Sequence, residues 1–307
     1  MNDRMPSHHG VKYDPDEEYV NETLKLLYER GSVRKYQEKK IPKELIDSVL
    51  KAGIHAPTAG NLQPYSIIKI ENSETNRKLG EMMGQSFIGT APINLIFSID
   101  YHRIKRWADL EEAPFTATSS FRHFWVGFQD TVICAQNICT AADAVGLGSV
   151  YIGSVLEIFR ELKEMLKLPD HVFPVVLLCL GYPVERPKPR KKMGINIVVH
   201  NEIYNDPEDE LLLETFNQKY LRSDGKRLEI TKKRLETLYM VTEAAHDKEY
   251  ADKVIARVRE QGYISEVQRY FGLHYRASMM ACDTLEFLKT FEDFGFGWFK
   301  EWKREKK

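Results

Sequence analysis

Up to residue 205, segments whose hydrophobic residues have helical spacing alternate with segments whose hydrophobic residues have the spacing of an extended strand. In the last hundred residues the hydrophobic residues have helical spacing only. The pattern predicts helices over 16–30, 42–55, 74–83, 122–145 and 155–167, and strands over 65–70, 92–99, 149–153 and 174–182. This order predicts an α/β or α+β domain over residues 1–205, followed by a helical extension over residues 206–307.

Two stretches of the first domain differ from their surroundings. Residues 122–145 are apolar on nearly every side and long enough for about six helical turns, which predicts a buried helix. Residues 101–121 are aromatic and mixed in charge, which predicts an irregular segment and a candidate lid. In the extension, apolar spacing predicts four helices, over 209–220, 227–246, 248–261 and 263–291.

Composition narrows the functional classes. Of 307 residues, 43% are hydrophobic and 29% charged, as in ordinary globular proteins. The 44 basic and 45 acidic side chains leave a net charge of −1, so no overall field favours nucleic acid or an anionic membrane. The four cysteines form no CxxC pair, which argues against a zinc site. The amino terminus is polar and no run of about 18 apolar residues occurs, which argues against a signal peptide and a membrane span. We therefore expect a cytoplasmic protein without a metal site.

The segment from Arg30 to Tyr36 places cationic and hydroxyl groups directly after the first predicted helix. On an extended chain Ser32 and Arg34 share a face, and Arg30 can reach the same point from the last helical turn. Two guanidinium groups and a hydroxyl suit a phosphate dianion, because the planar fork of arginine binds two phosphate oxygens at once. A solvated basic turn is the alternative interpretation.

A second basic segment, residues 181–192, follows the most strand-like run of the chain. Arg186, Lys188 and Arg190 alternate with prolines, which favour a stiff polyproline-like path, so the three side chains do not all share one face. One or two of them could reach a phosphate. A solvated basic linker explains the segment as well.

Two other segments suit a flat heterocycle. Asn61 and Gln63 lie two residues apart, so their amides could point together at the edge of a ring, and Gly60 allows close approach of the backbone. The small residues of 146–153 would let backbone N–H groups approach a ring. A plain turn between helix and strand explains the first segment equally well. Neither segment is a GxxxxGK[ST] or GxGxxG nucleotide loop.

In this order and with these gaps, five segments resemble the FMN-dependent nitroreductase family over roughly residues 20–205. They are RGSVRKY at 30–36, HAPTAGNLQPY at 55–65, LGSVYIG at 147–153, GYPVERPKPR at 181–190 and VVHNEIY at 198–204. The resemblance implies a nitroreductase-like α+β fold with a central mixed or antiparallel sheet flanked by helices. It also implies a homodimer with FMN bound at the interface, each site built from both chains.

The family pattern implies three groups of cofactor-binding residues. Those at the ribityl phosphate would be Arg30, Gly31, Ser32, Arg34, Lys188 and Arg190. The partner subunit would supply its copies of Pro57, Thr58, Ala59 and Asn61, with Gln63 close to the flavin. Backbone N–H groups along one flavin face would come from Val150, Tyr151, Ile152 and Gly153.

The resemblance further implies a ping-pong reaction, in which NAD(P)H reduces FMN and leaves before an electron-poor acceptor such as a nitroaromatic or quinone binds. No catalytic side chain is then needed, because the cofactor carries the chemistry. Flat acceptors stack on aromatic rings, which suggests substrate binding by Trp107, Phe115, Phe121 and Phe124. For Phe124 and its neighbour Trp125, a place in the core is the alternative.

Two other functions stay open at this point. A reductive dehalogenase of the same superfamily would need acidic, tyrosyl and lysyl groups in a lid, and Tyr101, Lys105 and Glu111 lie in the right region but not at the expected spacing. A non-catalytic flavin-binding or partner-binding module is the second alternative, since the helical extension could cover the substrate face.

Overall fold

The structure is a computed structural model that describes residues 19–220 and 225–303. Within these ranges the chain forms two compact units. The first takes the described residues up to Pro189 together with those from Glu286 onward, and the second runs from Arg190 to Leu285. The predicted boundary near residue 206 stays a prediction. The start of the first predicted helix, at residues 16–18, lies outside the described residues.

A four-stranded antiparallel sheet forms the centre of the first unit. Its strands are β1 (Tyr65–Ile70), β2 (Ile93–Asp100), β3 (Gly148–Ile152) and β4 (Val172–Gly181), in the order β1-β2-β4-β3. All eight residues of the inner strand β2 are buried. The four predicted strands are confirmed to within two residues at each end, and the prediction of an α+β fold with a sheet flanked by helices is confirmed.

Helices precede, connect and follow these strands. They are α1 (Glu22–Glu29), α2 (Lys43–Ile54), α3 (Ser73–Met82), α4 (Ser86–Thr90), α5 (Tyr101–Leu110), α6 (Phe121–Ala144) and α7 (Phe159–Met165). The second unit contains α8 (Ile195–Val198), α9 (Asp209–Tyr220), α10 (Lys232–Ala245), α11 (Lys248–Gln261) and α12 (Glu266–Arg269), and α13 (Thr284–Asp293) leads back into the first.

The sheet carries an apolar layer on each face, because successive side chains of a strand point to opposite sides. Leu95 and Phe97 of β2 pack with the buried residues of α2 and α6. Ile96 packs on the other side with α3, α4 and α7 and with the carboxy-terminal residues Phe294, Phe296 and Trp298. The long helix α6 also packs against β3, where the Tyr151 hydroxyl donates to Gln136 Oε1.

The segment predicted to be irregular, 101–121, begins with the ten-residue helix α5, so that prediction is wrong over Tyr101–Leu110. The Asp100 side chain caps the helix by accepting a hydrogen bond from the Arg103 N–H, at 2.9 Å. Tyr101 and Ile104, three residues apart, bury one face of it. The cap and the single buried stripe therefore stabilise a helix although the composition of the segment is irregular.

Helix α6 is confirmed, but it is not buried on every side as predicted. Trp125, Phe128 and Ile133 remain 55%, 41% and 39% exposed. The sheet and α2 cover only one side of the helix within this chain, which leaves an apolar stripe on the other side.

In the second unit, the predicted single helix over 263–291 is wrong. After α12 the chain forms a wide turn at Tyr270–His274 and a short tight turn at Ala277–Met279 before α13 begins. Arg276 and Asp283 adopt positive φ angles of 21° and 63°, which a right-handed helix does not allow. In the part of the chain that the structure describes, no helix has the length and apolarity needed to cross a membrane.

Candidate functional site

The extended segment that follows α1 presents Ser32 and Arg34 outward on either side of a buried residue. Val33 is only 2% exposed, whereas Ser32 and Arg34 are both exposed, as the predicted shared face requires. The Val33 N–H donates to the Ser149 carbonyl at 2.9 Å, and Ser32 pairs with Ser149 in a parallel bridge. The segment therefore lies along the outer edge of β3.

This pairing determines which backbone groups of β3 are free. The Ser149 carbonyl points away from β4, towards Val33, and backbone polar groups of an edge strand alternate in direction with every residue. The N–H of Tyr151 therefore points to the same open edge, where no backbone acceptor within the described ranges meets it. Val150 and Ile152 bury their side chains in the core, so only their backbones could meet a ligand.

A cavity of about 480 Å³ lies beside this edge. The Tyr151 hydroxyl donates to Gln136 Oε1 of α6 at 3.4 Å, which places its ring along the cavity wall. The wall is almost wholly apolar and is completed by Val132, Ile133, Gly153 and Val176. The arrangement offers an apolar wall next to a free backbone donor.

Helix α4 connects the cationic segment with the end of β3. The Arg34 guanidinium lies 5.8 Å from the centre of the Phe87 ring, and Gln85, just before the helix, donates through Nε2 to Ser154 Oγ at 2.8 Å. Gln85 was not predicted as a site residue. The sequence signal that could have found it is a glycine immediately before an amide residue, which is typical of a turn; the structure gives Gly84 a φ of 62°.

The loop 57–63 is held by a buried carboxylate of α6. The Ala59 N–H donates to both oxygens of Asp130, each at 3.2 Å. Burial raises the pKa of Asp130, and the hydrogen bond from Ala59 opposes this effect. Pro57, Thr58 and Asn61 are exposed or half-buried around this anchor, as they would be in a binding loop.

The two amides of this loop do not have the relation that the sequence pattern suggested. Asn61 and Gln63 adopt positive φ angles of 54° and 51°, so the alternation of an extended chain does not apply to them. Gln63 Nε2 donates to the Ile54 carbonyl at 2.9 Å, which commits that donor to the end of α2. Asn61 remains exposed.

Arg30 points inward rather than beside Ser32 and Arg34. Its Nε donates to Asp143 Oδ2 at 3.1 Å and its Nη2 to Cys139 Sγ at 3.0 Å. Burial opposes the charge of the Arg30 guanidinium, but Cys139 and Asp143 outweigh it and raise the pKa of Arg30. Asp143 also accepts from Arg186 Nη1 at 2.9 Å. Neither Asp143 nor Arg186 was among the predicted cofactor-binding residues.

The remaining basic candidates follow this ion-pair cluster along the chain. Gly31 packs so closely on Pro187 that a Cβ atom there would lie 2.9 Å from it, which brings the two basic segments into contact. Lys188 is exposed just beyond this contact. Arg190 is exposed as well and is the first residue of the second unit.

The aromatic candidates divide between surface and core. Phe124 packs against Phe291, Trp298 and Phe299, which agrees with the alternative interpretation that Phe124 belongs to the core. Phe115 packs against the same apolar layer. Phe121 and Trp107 keep about half of their surface exposed. Trp107 lines a second cavity of about 420 Å³ with residues that include Gln63 and Arg103.

Comparison with known proteins decides the family. The model of the nitroreductase family matches residues 27–182, just over half of the chain. This chain belongs to the nitroreductase family. The FMN reductase (NAD(P)H) of Bacillus subtilis, a family relative, is 33% identical over 194 residues, which cover 62% of this chain and 78% of that protein.

Solved structures resemble the nitroreductase fold of this chain. NfrA2 of B. megaterium matches with a TM-score of 0.65 and 28% identity, over 79% of this chain and 98% of that one. The NADPH:FMN oxidoreductase of Vibrio harveyi in complex with NAD+ matches with a TM-score of 0.60 and 28% identity, over 67% of this chain and 89% of that one. The resemblance to nitroreductases inferred from the five segments is confirmed.

Proposed function

We propose that this protein is an FMN-dependent oxidoreductase that transfers reducing equivalents from NAD(P)H to an electron-poor small molecule such as a nitroaromatic or quinone. The observation that carries the proposal is the free N–H edge of β3 at Tyr151, because the same strand pairs with Ser32 at Ser149 and lines the apolar cavity at Tyr151. Relatives named as FMN reductase and NADPH-flavin oxidoreductase support it.

The donor set of the site fits FMN, a flat ring system with a polar edge and a dianionic tail. Ser32 and Arg34 offer a hydroxyl and a guanidinium fork on one face, as a phosphate requires. The apolar wall of the cavity suits the ring, and the Tyr151 N–H suits its polar edge. Local clustering of cations lets a protein of net charge −1 bind such a ligand.

The residues of this chain would act by binding and orientation. Bound FMN supplies the hydride and electron transfer. Arg34 and Ser32 would anchor the phosphate, Lys188 would add charge beside them, and the Tyr151 N–H would donate to the polar edge of the ring. Val132 and Val176 would exclude water from the face that they cover. No step requires a side chain as nucleophile.

We further propose that the protein is a cytoplasmic homodimer with FMN at the subunit interface. The apolar stripe Trp125, Phe128 and Ile133 on α6 supports this, because exposed apolar stripes of this kind are typical of subunit interfaces. Loop 57–61 would then reach the flavin of the other subunit. Sedimentation of the FMN-loaded protein tests the dimer, and a monomer at micromolar concentration would refute it.

The function is tested by the absorption spectrum of the purified protein, followed by an assay of NAD(P)H oxidation. We expect a flavin spectrum, release of FMN on heating, and steady oxidation that depends on a quinone or nitroaromatic acceptor, with free FMN as the control. A protein that carries no flavin and binds none on reconstitution would refute the proposal. Bound flavin without NAD(P)H oxidation would favour the binding module, and iodide release from an iodotyrosine with a reductant would favour the dehalogenase.

A further inference from the structure

Asp143 is a buried carboxylate to which two arginines from different segments bind. It lies in the last turn of α6, and its side chain is only 2% exposed. One oxygen accepts from Arg30 Nε at 3.1 Å and the other from Arg186 Nη1 at 2.9 Å. A carboxylate is buried at this depth only when charged partners compensate the lost hydration. Asp143 therefore depends on both arginines, and both arginines are oriented by Asp143.

The two arginines belong to the two basic segments of the candidate site. Arg30 directly precedes the segment with Ser32 and Arg34, and Arg186 comes two residues before Lys188. Arg186 is held further by a hydrogen bond from its Nη2 to the Leu147 carbonyl at 2.9 Å. The Asp143 carboxylate thus holds the first residue of segment 30–36, Arg30, and a residue in the middle of segment 181–192, Arg186.

The same segments are also joined at their other ends. The Val184 N–H donates to the Lys35 carbonyl at 3.1 Å, and Gln37 Nε2 donates to the Pro183 carbonyl at 2.7 Å. Ser32 and Arg34 therefore lie between two points of attachment, one made by backbone and amide groups and one made by Asp143. Only the second attachment depends on charge.

We infer that Asp143 is a positioning residue for the phosphate end of the flavin site, acting through Arg30 and Arg186 on the two segments that present Ser32, Arg34 and Lys188. The inference rests on the proposed function. One carboxylate against two guanidinium groups leaves one positive charge unbalanced, which favours a phosphate near the cluster. The Asp143 side chain is only 2% exposed, so we expect it to act through the arginines and not by direct contact with the ligand.

The test compares FMN with riboflavin, which has the same ring without the phosphate. Asp143→Asn keeps the shape of the side chain and removes its charge. Loss of the negative charge alone would strengthen phosphate binding, so weaker FMN binding would report lost orientation of Arg30 and Arg186. We expect the dissociation constant for FMN to rise about tenfold, the size of one misplaced charge-assisted contact between the basic segments and the phosphate, while that for riboflavin changes by less than about twofold. Quenching of flavin fluorescence on binding gives both constants, without any measurement of activity.

Two further variants complete the design. Asp47→Asn removes the same charge from the exposed face of α2 and should leave the ratio of the two constants unchanged. Arg186→Gln removes one arm of the bridge from a half-exposed position, so it remains informative if Asp143→Asn does not fold, and it should lower the preference for FMN. Equal weakening of FMN and riboflavin in both bridge variants would overturn the inference. Wild-type protein that binds neither flavin would instead refute the proposed function.

Discussion

Replacement of Arg34 by alanine tests the phosphate site most directly, because the next residue provides a matched control. Arg34→Ala and Lys35→Ala remove one positive charge each, from adjacent exposed positions. On an extended chain, alternation predicts that only Arg34 shares the face of Ser32. The Lys35 backbone carbonyl, which accepts from Val184, is kept in the alanine variant, so neither change disturbs the fold at that point.

The expected magnitudes differ by enough to be measured. Loss of a charge-assisted hydrogen bond costs about 1.5–3 kcal/mol, or roughly 10-fold to 150-fold in the dissociation constant. Because Arg34 is exposed, we expect the lower end, about tenfold. A unit charge that acts only from about 10 Å through water changes the energy by about 0.4 kcal/mol, or roughly twofold, and salt screens it. Lys35→Ala should show no more than this.

The assay is FMN titration by fluorescence quenching at low and at physiological ionic strength. The effect of Arg34→Ala should persist at the higher salt concentration, whereas any effect of Lys35→Ala should shrink. Equal dissociation constants for the two variants would refute the assignment of Ser32 and Arg34 to one phosphate-binding face.

Because the pKa of Asp130 is raised on folding, its contribution to stability is complete below about pH 3.8 and is lost as pH rises through the folded-state pKa. The difference in unfolding free energy between wild type and Asp130→Asn, measured in urea, should therefore decrease from about pH 4 to about pH 7. A difference that stays constant with pH would contradict this. Gly148→Ala should destabilise the protein by about 1–3 kcal/mol, since its Cβ would lie 2.5 Å from Val33; an unchanged melting temperature would contradict the packing. Phe124→Ala should cost about 3 kcal/mol in unfolding free energy; a raised KM at unchanged stability would favour the substrate-binding alternative.

The strands and most helices were predictable because the spacing of their hydrophobic residues shows whether an element buries one face or two. β2 and β4 are nearly continuous apolar runs, which only the inside of a sheet accommodates. α5 was missed because a capping side chain, Asp100, and one short buried stripe decided its structure. The break after α12 was missed because Arg276 and Asp283 follow an apolar stripe that continues past them.

The candidate site was predictable only where the alternation of side chains along one extended segment determines which residues lie together. Ser32 and Arg34 follow the period of two around Val33, and their shared face could be inferred. The role of Arg30 could not, because its partner Asp143 lies more than a hundred residues away. A signal was nevertheless present: acidic residues within an otherwise apolar helix are rarely buried without a charged or hydrogen-bonding partner.

Helix α6 contains two such residues, and each holds a different segment of the candidate site. Asp130 binds the N–H of Ala59 in loop 57–61, and Asp143 binds the arginines of the two basic segments. They are 13 positions apart, about 20 Å along a helix of 1.5 Å rise per residue. In the proposed dimer, loop 57–61 serves the flavin of the other subunit, so each α6 would fix the phosphate end of one site and the loop of the second. A bend in α6 would then alter both flavin sites together, whereas a change at Asp130 or Asp143 alone would alter one end of each.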